Sequence, residues 1–130
     1  MLKSKITLLL LLSFGLFVTS CGDDDSGDCV VSDWVGTYTG TQVCNGASLP
    51  VTVTITASGT EQIVVMYETD GLETEFDPLT PTNCDLDVSE SQGSLSLTVD
   101  ANLDGDQLSF QDVLSDGTNN VDCTITATRQ

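Results

Sequence analysis

The sequence contains no histidine, and its positive charge is confined to three residues. Lys3 and Lys5 lie at the very start, and Arg129 is the only other cation. Without histidine there is no Ser-His-Asp or Cys-His catalysis, no His-ligated zinc and no ordinary neutral-pH proton shuttle. Beyond Lys5 no lysine remains for Schiff-base chemistry. No two cysteines stand at zinc-knuckle spacing, which argues against a structural zinc. There is no apolar run of the roughly 20 residues a helical membrane span needs. No helical period is visible beyond residue 20. These absences point to no enzyme and no cofactor.

Negative charge, by contrast, is abundant. All 20 acidic residues lie from Asp23 onward, against Arg129 alone. A chain cut before Cys21 therefore carries about 19 net negative side-chain charges. That field repels nucleic-acid phosphates and anionic headgroups, so nucleic acid is not an expected partner. With 130 residues the chain has room for one domain.

The start of the chain has the order of a secretory leader. Residues 1–5 are basic, residues 6–18 (ITLLLLLSFGLFV) are apolar, and small Thr19 and Ser20 precede Cys21. The run Val18-Thr19-Ser20-Cys21 resembles the bacterial lipobox. The resemblance implies cleavage of a signal peptide of residues 1–20 and acylation of Cys21, palmitate included. Acyl chains hold a protein to a membrane because each buried methylene contributes about 0.8 kcal/mol. Residues 21–33 follow as an expected flexible tether. Its run Gly22-Asp23-Asp24-Asp25-Ser26-Gly27-Asp28 has no apolar side chain with which to pack. Acidic residues directly after the lipid cysteine resemble the surface-export signal of Bacteroidetes-type lipoproteins. The expected location is thus the outer membrane, lipid-anchored, with the domain at the cell surface.

Four cysteines remain, Cys29, Cys44, Cys84 and Cys123. An even number in an oxidising compartment implies two disulfides, with three possible connectivities.

Residues 34–130 read as a single antiparallel β-domain. Val51, Val53, Ile55 and Ala57 alternate with threonines. Leu95, Leu97, Val99, Ala101 and Leu103 alternate with polar residues, as do Val121, Cys123, Ile125 and Ala127. Residues 63–67 (IVVMY) are apolar on both faces and read as a central or doubly covered strand. Residues 35–43 form the first strand, and Leu108 and Phe110 mark another. Turn signals at Ser58-Gly59, Asp70-Gly71, Gln92-Gly93, Asp104-Gly105 and Asp116-Gly117 separate the strands. Pro78 and Pro81 mark a longer loop. The expected fold is all-β, a small antiparallel meander barrel or sandwich of seven or eight strands.

In a meander that closes, the first strand lies antiparallel to the last. Cys44 then faces Cys123, Tyr38 faces Arg129, and Cys29 is left for Cys84. That register rests Arg129 against the Tyr38 ring, a contact worth about 0.5–1 kcal/mol. Trp34 is expected to plug one end of the core. The stretch Trp34-Val35-Gly36-Thr37-Tyr38-Thr39-Gly40-Thr41 with Cys44, the alternating 51–57 strand, the Ser115-Asp116-Gly117 turn and the closing 122–129 segment resemble small lipocalin-like lipoproteins of Bacteroidetes-type bacteria. The resemblance implies fold and location but no activity.

Two clusters invite chemical readings. Asp100, Asn102, Asp104 and Asp106, with Gly105, match the first half of a calcium loop. Position twelve is Gln111 rather than a bidentate glutamate, so a hairpin turn is the better reading. Glu73 with Glu75 and Asp85 with Asp87 are same-face carboxylate pairs on strands, best read as solvated. The expected function is a non-catalytic binding or structural module for a protein, glycan or small-molecule partner. The alternative is a lipocalin-like carrier of a small apolar ligand. A filled interior favours the first and an enclosed void the second.

Overall fold

A computed structural model describes residues 28–130. The expected signal peptide, Cys21 and most of the acidic run lie outside the described residues. A four-residue helix, α1 (Val31–Trp34), precedes eight strands. These are β1 (Gly36–Cys44), β2 (Ala47–Ser58), β3 (Gln62–Thr69), β4 (Leu72–Glu75), β5 (Asp85–Gln92), β6 (Leu95–Asp104), β7 (Gln107–Ser115) and β8 (Asn120–Arg129). All lie in one antiparallel sheet of order β4-β3-β2-β1-β8-β7-β6-β5. The all-β meander expected from the sequence is present, and it is one curled sheet rather than two stacked ones.

Closure takes place between β1 and β8. Cys44 pairs with Cys123, Gln42 with Ile125, Gly40 with Ala127 and Tyr38 with Arg129, the register the sequence implied. Both disulfides follow: Cys44–Cys123 staples this seam, and Cys29–Cys84 ties the lead-in of α1 to the start of β5. The wall is incomplete on the opposite side. Strands β4 and β5 end the sheet without pairing with each other, leaving a half-barrel.

The alternation of the sequence becomes the curvature of the sheet. Inward residues Val53, Ile55, Val65, Leu108, Phe110 and Ile125 are at most 2% exposed, and the threonines between them face solvent. Each such burial contributes about 1.5–3 kcal/mol. Gly40 permits the tight β1–β8 approach, because a Cβ there would sit 1.9 Å from the Thr126 carbonyl oxygen. Asn45 (φ 47°) and Gly46 (φ 89°) supply the two left-handed residues of the β1–β2 hairpin.

Three expectations need correction. Residues 63–67 are not central, since β3 is next to the end of the sheet and its outward Val64 and Met66 are half-buried. The tether does not extend to residue 33. Cys29 is bridged and Val31 packs against the core, so the domain begins there rather than at Trp34. The Asp116-Gly117 signal sits in a four-residue loop between paired Ser115 and Asn120, not a tight two-residue turn. There the Asp116 carboxylate accepts the Thr118 and Asn119 N–H groups, which holds its carboxyl below the usual carboxylate range.

The proline segment after β4 lines the gap. Phe76 N–H donates to the Val65 carbonyl, Ile63 and Leu79 exchange backbone hydrogen bonds at 2.8 Å, and Thr82 does the same with Asp85.

Candidate functional site

The two ends of the half-barrel differ. One is filled and sealed. Trp34, 1% exposed, donates its indole N–H to the Asn83 carbonyl at 3.0 Å. The Tyr38 hydroxyl donates to the Trp34 carbonyl at 2.8 Å and accepts from the Arg129 guanidinium at 2.8 Å. Arg129 lies 5.2 Å from the Tyr38 ring centroid, also donates to the Asp33 carbonyl, and sits 3.6 Å from the exposed Asp106 carboxylate. Burial pushes the Tyr38 phenol up, and Arg129 opposes the rise. Trp34 is therefore the expected plug, and Arg129, the only cation of the sequence beyond Lys5, is committed to locking it.

Outside this seal runs a groove of about 650 Å³ lined by Asp28, Asp33, Asp85, Asp104 and Asp106. Asn102 of the calcium-like segment donates to the Asp85 carboxylate at 2.8 Å, and Asp100 lies mid-strand in β6 opposite Gln111. Asp104 and Gln107 flank a two-residue Gly105-Asp106 turn. Among the described residues no cluster of three or more metal-ligating side chains is present. The segment forms the β6–β7 hairpin. The pairs Glu73 with Glu75 and Asp85 with Asp87 are exposed on β4 and β5.

The opposite end is open. Leu49, Leu72, Leu95, Leu114 and Val121 are all more than 40% exposed. Each is cross-strand to, or in phase with, an inward residue: Leu49 opposes Gln42, Leu72 opposes Thr69, and Leu114 opposes Val121. Cross-strand partners share a face, so these side chains all stand on the inward face at the open mouth, where Leu95 and Leu114 line a common cavity. A cavity of about 610 Å³ lies in it, lined by Leu95, Leu97 and Leu114 with Glu90, Ser91 and Gln92. A second, of about 200 Å³, opens into the gap between β4 and β5 and shares Glu90 and Leu97 with the first.

No family model matches the chain, and no curated protein and no solved structure matches it.

Beneath the mouth the core ends in a polar shelf. Thr69 Oγ1 donates to Gln42 Oε1 at 2.7 Å, and both residues are buried. The Tyr67 hydroxyl donates to Asp112 Oδ2 at 3.3 Å, while Asp112 Oδ1 is buried without a hydrogen-bond partner among the described residues. Burial raises the Asp112 carboxyl above the ordinary range, the Tyr67 hydrogen bond opposes the rise, and nearby Asp122 adds to it. Burial likewise raises the Tyr67 phenol, with the Asp112 charge adding to it. Tyr67, Phe76 and Phe110 pack against one another with ring centroids 5.6–6.2 Å apart. The sequence reading marked Leu108 and Phe110 and passed over Asp112. Its signal is phase: an acid stands where the inward alternation Leu108, Phe110, Leu114 calls for an apolar residue.

Proposed function

We propose that the chain is a small lipocalin-like lipoprotein, cleaved before Cys21 and acylated there. In this reading it is anchored to the outer membrane and displayed at the cell surface. Its β-domain acts as a non-catalytic binding module whose ligand sits in the open end of the half-barrel. The observation that carries the binding role is the asymmetry of the two ends, one sealed by Trp34 and the other ringed by exposed leucines around a cavity of about 610 Å³. That lining favours a ligand with apolar groups over an all-polar glycan. The carrier alternative is weaker, because the lower interior is packed with Val53, Ile55, Val65 and Leu108 and the cavity is open rather than enclosed.

Two measurements test the reading. The amino-terminal peptide of natively processed protein should carry acyl mass on Cys21; an unmodified cysteine there removes the anchor. The neutral dye Nile red should fluoresce on binding the purified domain and lose that signal in L95S/L114S. Absent or unchanged fluorescence removes the apolar site.

A further inference from the structure

The gap in the wall exposes two sheet edges, and the longer one is β5. Its backbone direction follows from its pairings. The Cys84 carbonyl accepts from Leu103 N–H on the β6 side, whereas Asp85 exchanges hydrogen bonds with Thr82 on the other side. In an antiparallel strand both backbone groups of a residue point the same way, and the direction alternates. The N–H and C=O groups of Asp87, Ser89 and Ser91 therefore face the gap, and no described strand pairs with them there. Beside this edge lies the gap cavity, with apolar Phe76, Val88 and Leu97 and the carboxylates Glu75, Asp77 and Glu90.

We propose that the free edge of β5 receives an extended basic peptide from a partner protein, which adds as an antiparallel strand. This goes beyond the binding-module reading above, whose ligand sits in the open end, and assigns the neighbouring gap edge a partner of its own. Main-chain hydrogen bonds to Asp87, Ser89 and Ser91 hold the peptide, as in other strand-addition complexes. Its lysine or arginine side chains alternate to the outer face, towards Glu75, Asp77 and Asp87, and its apolar side chains to the inner face, towards Val88 and Leu97. Charge selects this occupant. A second copy of the chain, or its own Asp23-Asp24-Asp25 run, would bring acid against acid. Acidic residues on a free edge block pairing between like chains. The same residues attract a basic strand.

The probe is a blocked heptapeptide of alternating lysine and valine, with a fully N-methylated version of equal charge as the control. Binding should slow amide exchange at Asp87, Ser89 and Ser91 by about tenfold or more. The N-methylated peptide, which has no amide donors, should bind about tenfold or more weakly. Ser89→Pro should block addition, since the N–H it removes faces the gap and the β5–β6 ladder is kept. Glu75→Gln and Asp77→Asn, which line the gap cavity and not the mouth, should each weaken binding while leaving Nile red fluorescence intact. Equal affinity for the two peptides, or protection spread over other acidic faces, overturns the proposal and identifies plain charge attraction. Edge protection without peptide overturns it too, in favour of a second copy if it depends on protein concentration and of the chain's own amino-terminal run if it is lost on truncation to Asp28. If Nile red binds and the peptide does not, this proposal falls and the binding-module reading stands.

Discussion

Removing the Cys44–Cys123 bridge should cost the domain about 4 kcal/mol, and removing Cys29–Cys84 should cost nearly the same. The bridges span 79 and 55 residues, a difference worth only about 0.3 kcal/mol if each loop closed alone. They interlock, however. With Cys29–Cys84 intact, the unfolded chain already has a shortcut from Cys44 to Cys123. It runs 15 residues back to Cys29, across the sulfurs, and 39 residues on from Cys84. The loop that the second bridge closes is therefore about 55 residues whichever is formed second, and loop closure at that length gives about 4 kcal/mol. For a domain of this size the shift in Tm is about 15–30 °C. The assay is thermal unfolding of C44A/C123A and C29A/C84A, each with its remaining bridge verified by mass. Removing both bridges costs about 8–9 kcal/mol, comparable to the whole stability of a typical domain, and should leave the chain largely unfolded at 37 °C. A loss below about 1 kcal/mol for either variant, or losses differing by more than about 2 kcal/mol, would refute the interlocked-loop argument.

Gly40→Ala should cost about 3 kcal/mol or more in urea unfolding, because the added methyl meets β8 backbone that cannot step aside; near-parental stability would mean that the seam is looser than described. Arg129→Met should cost about 1–3 kcal/mol through its lost bonds to the Tyr38 hydroxyl and the Asp33 carbonyl, whereas Asp106→Asn should cost under about 1 kcal/mol because that ion pair is solvent-exposed. Equal losses for these two variants would contradict the division. Asp112→Asn concerns pH. Burial raises the Asp112 carboxyl in the folded chain, so the folded state keeps that proton to higher pH than the unfolded state does. Its contribution to stability is present below the ordinary carboxylate value of about 3.9 and is lost as pH rises through the raised one. The variant should therefore be more stable than the parent near neutral pH and close to it near pH 3, and parallel stability curves would exclude this.

Much of the fold was legible because strands with one dry face write their period into the sequence. The threonine alternation of residues 51–57 and the leucine alternation of residues 95–103 located β2 and β6, and antiparallel closure gave the Cys44–Cys123 register. Residues 63–67 misled because a strand beside a barrel gap can carry Val64 and Met66 on a half-covered outer face and still read as doubly buried. Asn45-Gly46, the strongest short hairpin signal in the chain, was passed over, although its two left-handed residues fix the β1–β2 turn. The open end was hardest to read. Leu49, Leu72 and Leu114 have the same local pattern as core leucines, and only their place at the open end of the half-barrel leaves them uncovered. An end that no other segment caps has no local signature.

The β1–β8 seam also decides which way the molecule looks. Because first and last strands are neighbours, the polypeptide enters through α1 and leaves at Gln130 on the same, Trp34-sealed side, with Arg129 touching Asp33. Six residues lie between Cys21 and Asp28, so seven steps of chain make a leash of at most about 25 Å. Any anchor at Cys21 would keep the plugged base towards the bilayer and turn the leucine-ringed rim outward. A fusion at the carboxyl terminus would crowd the leash and leave the rim unobstructed.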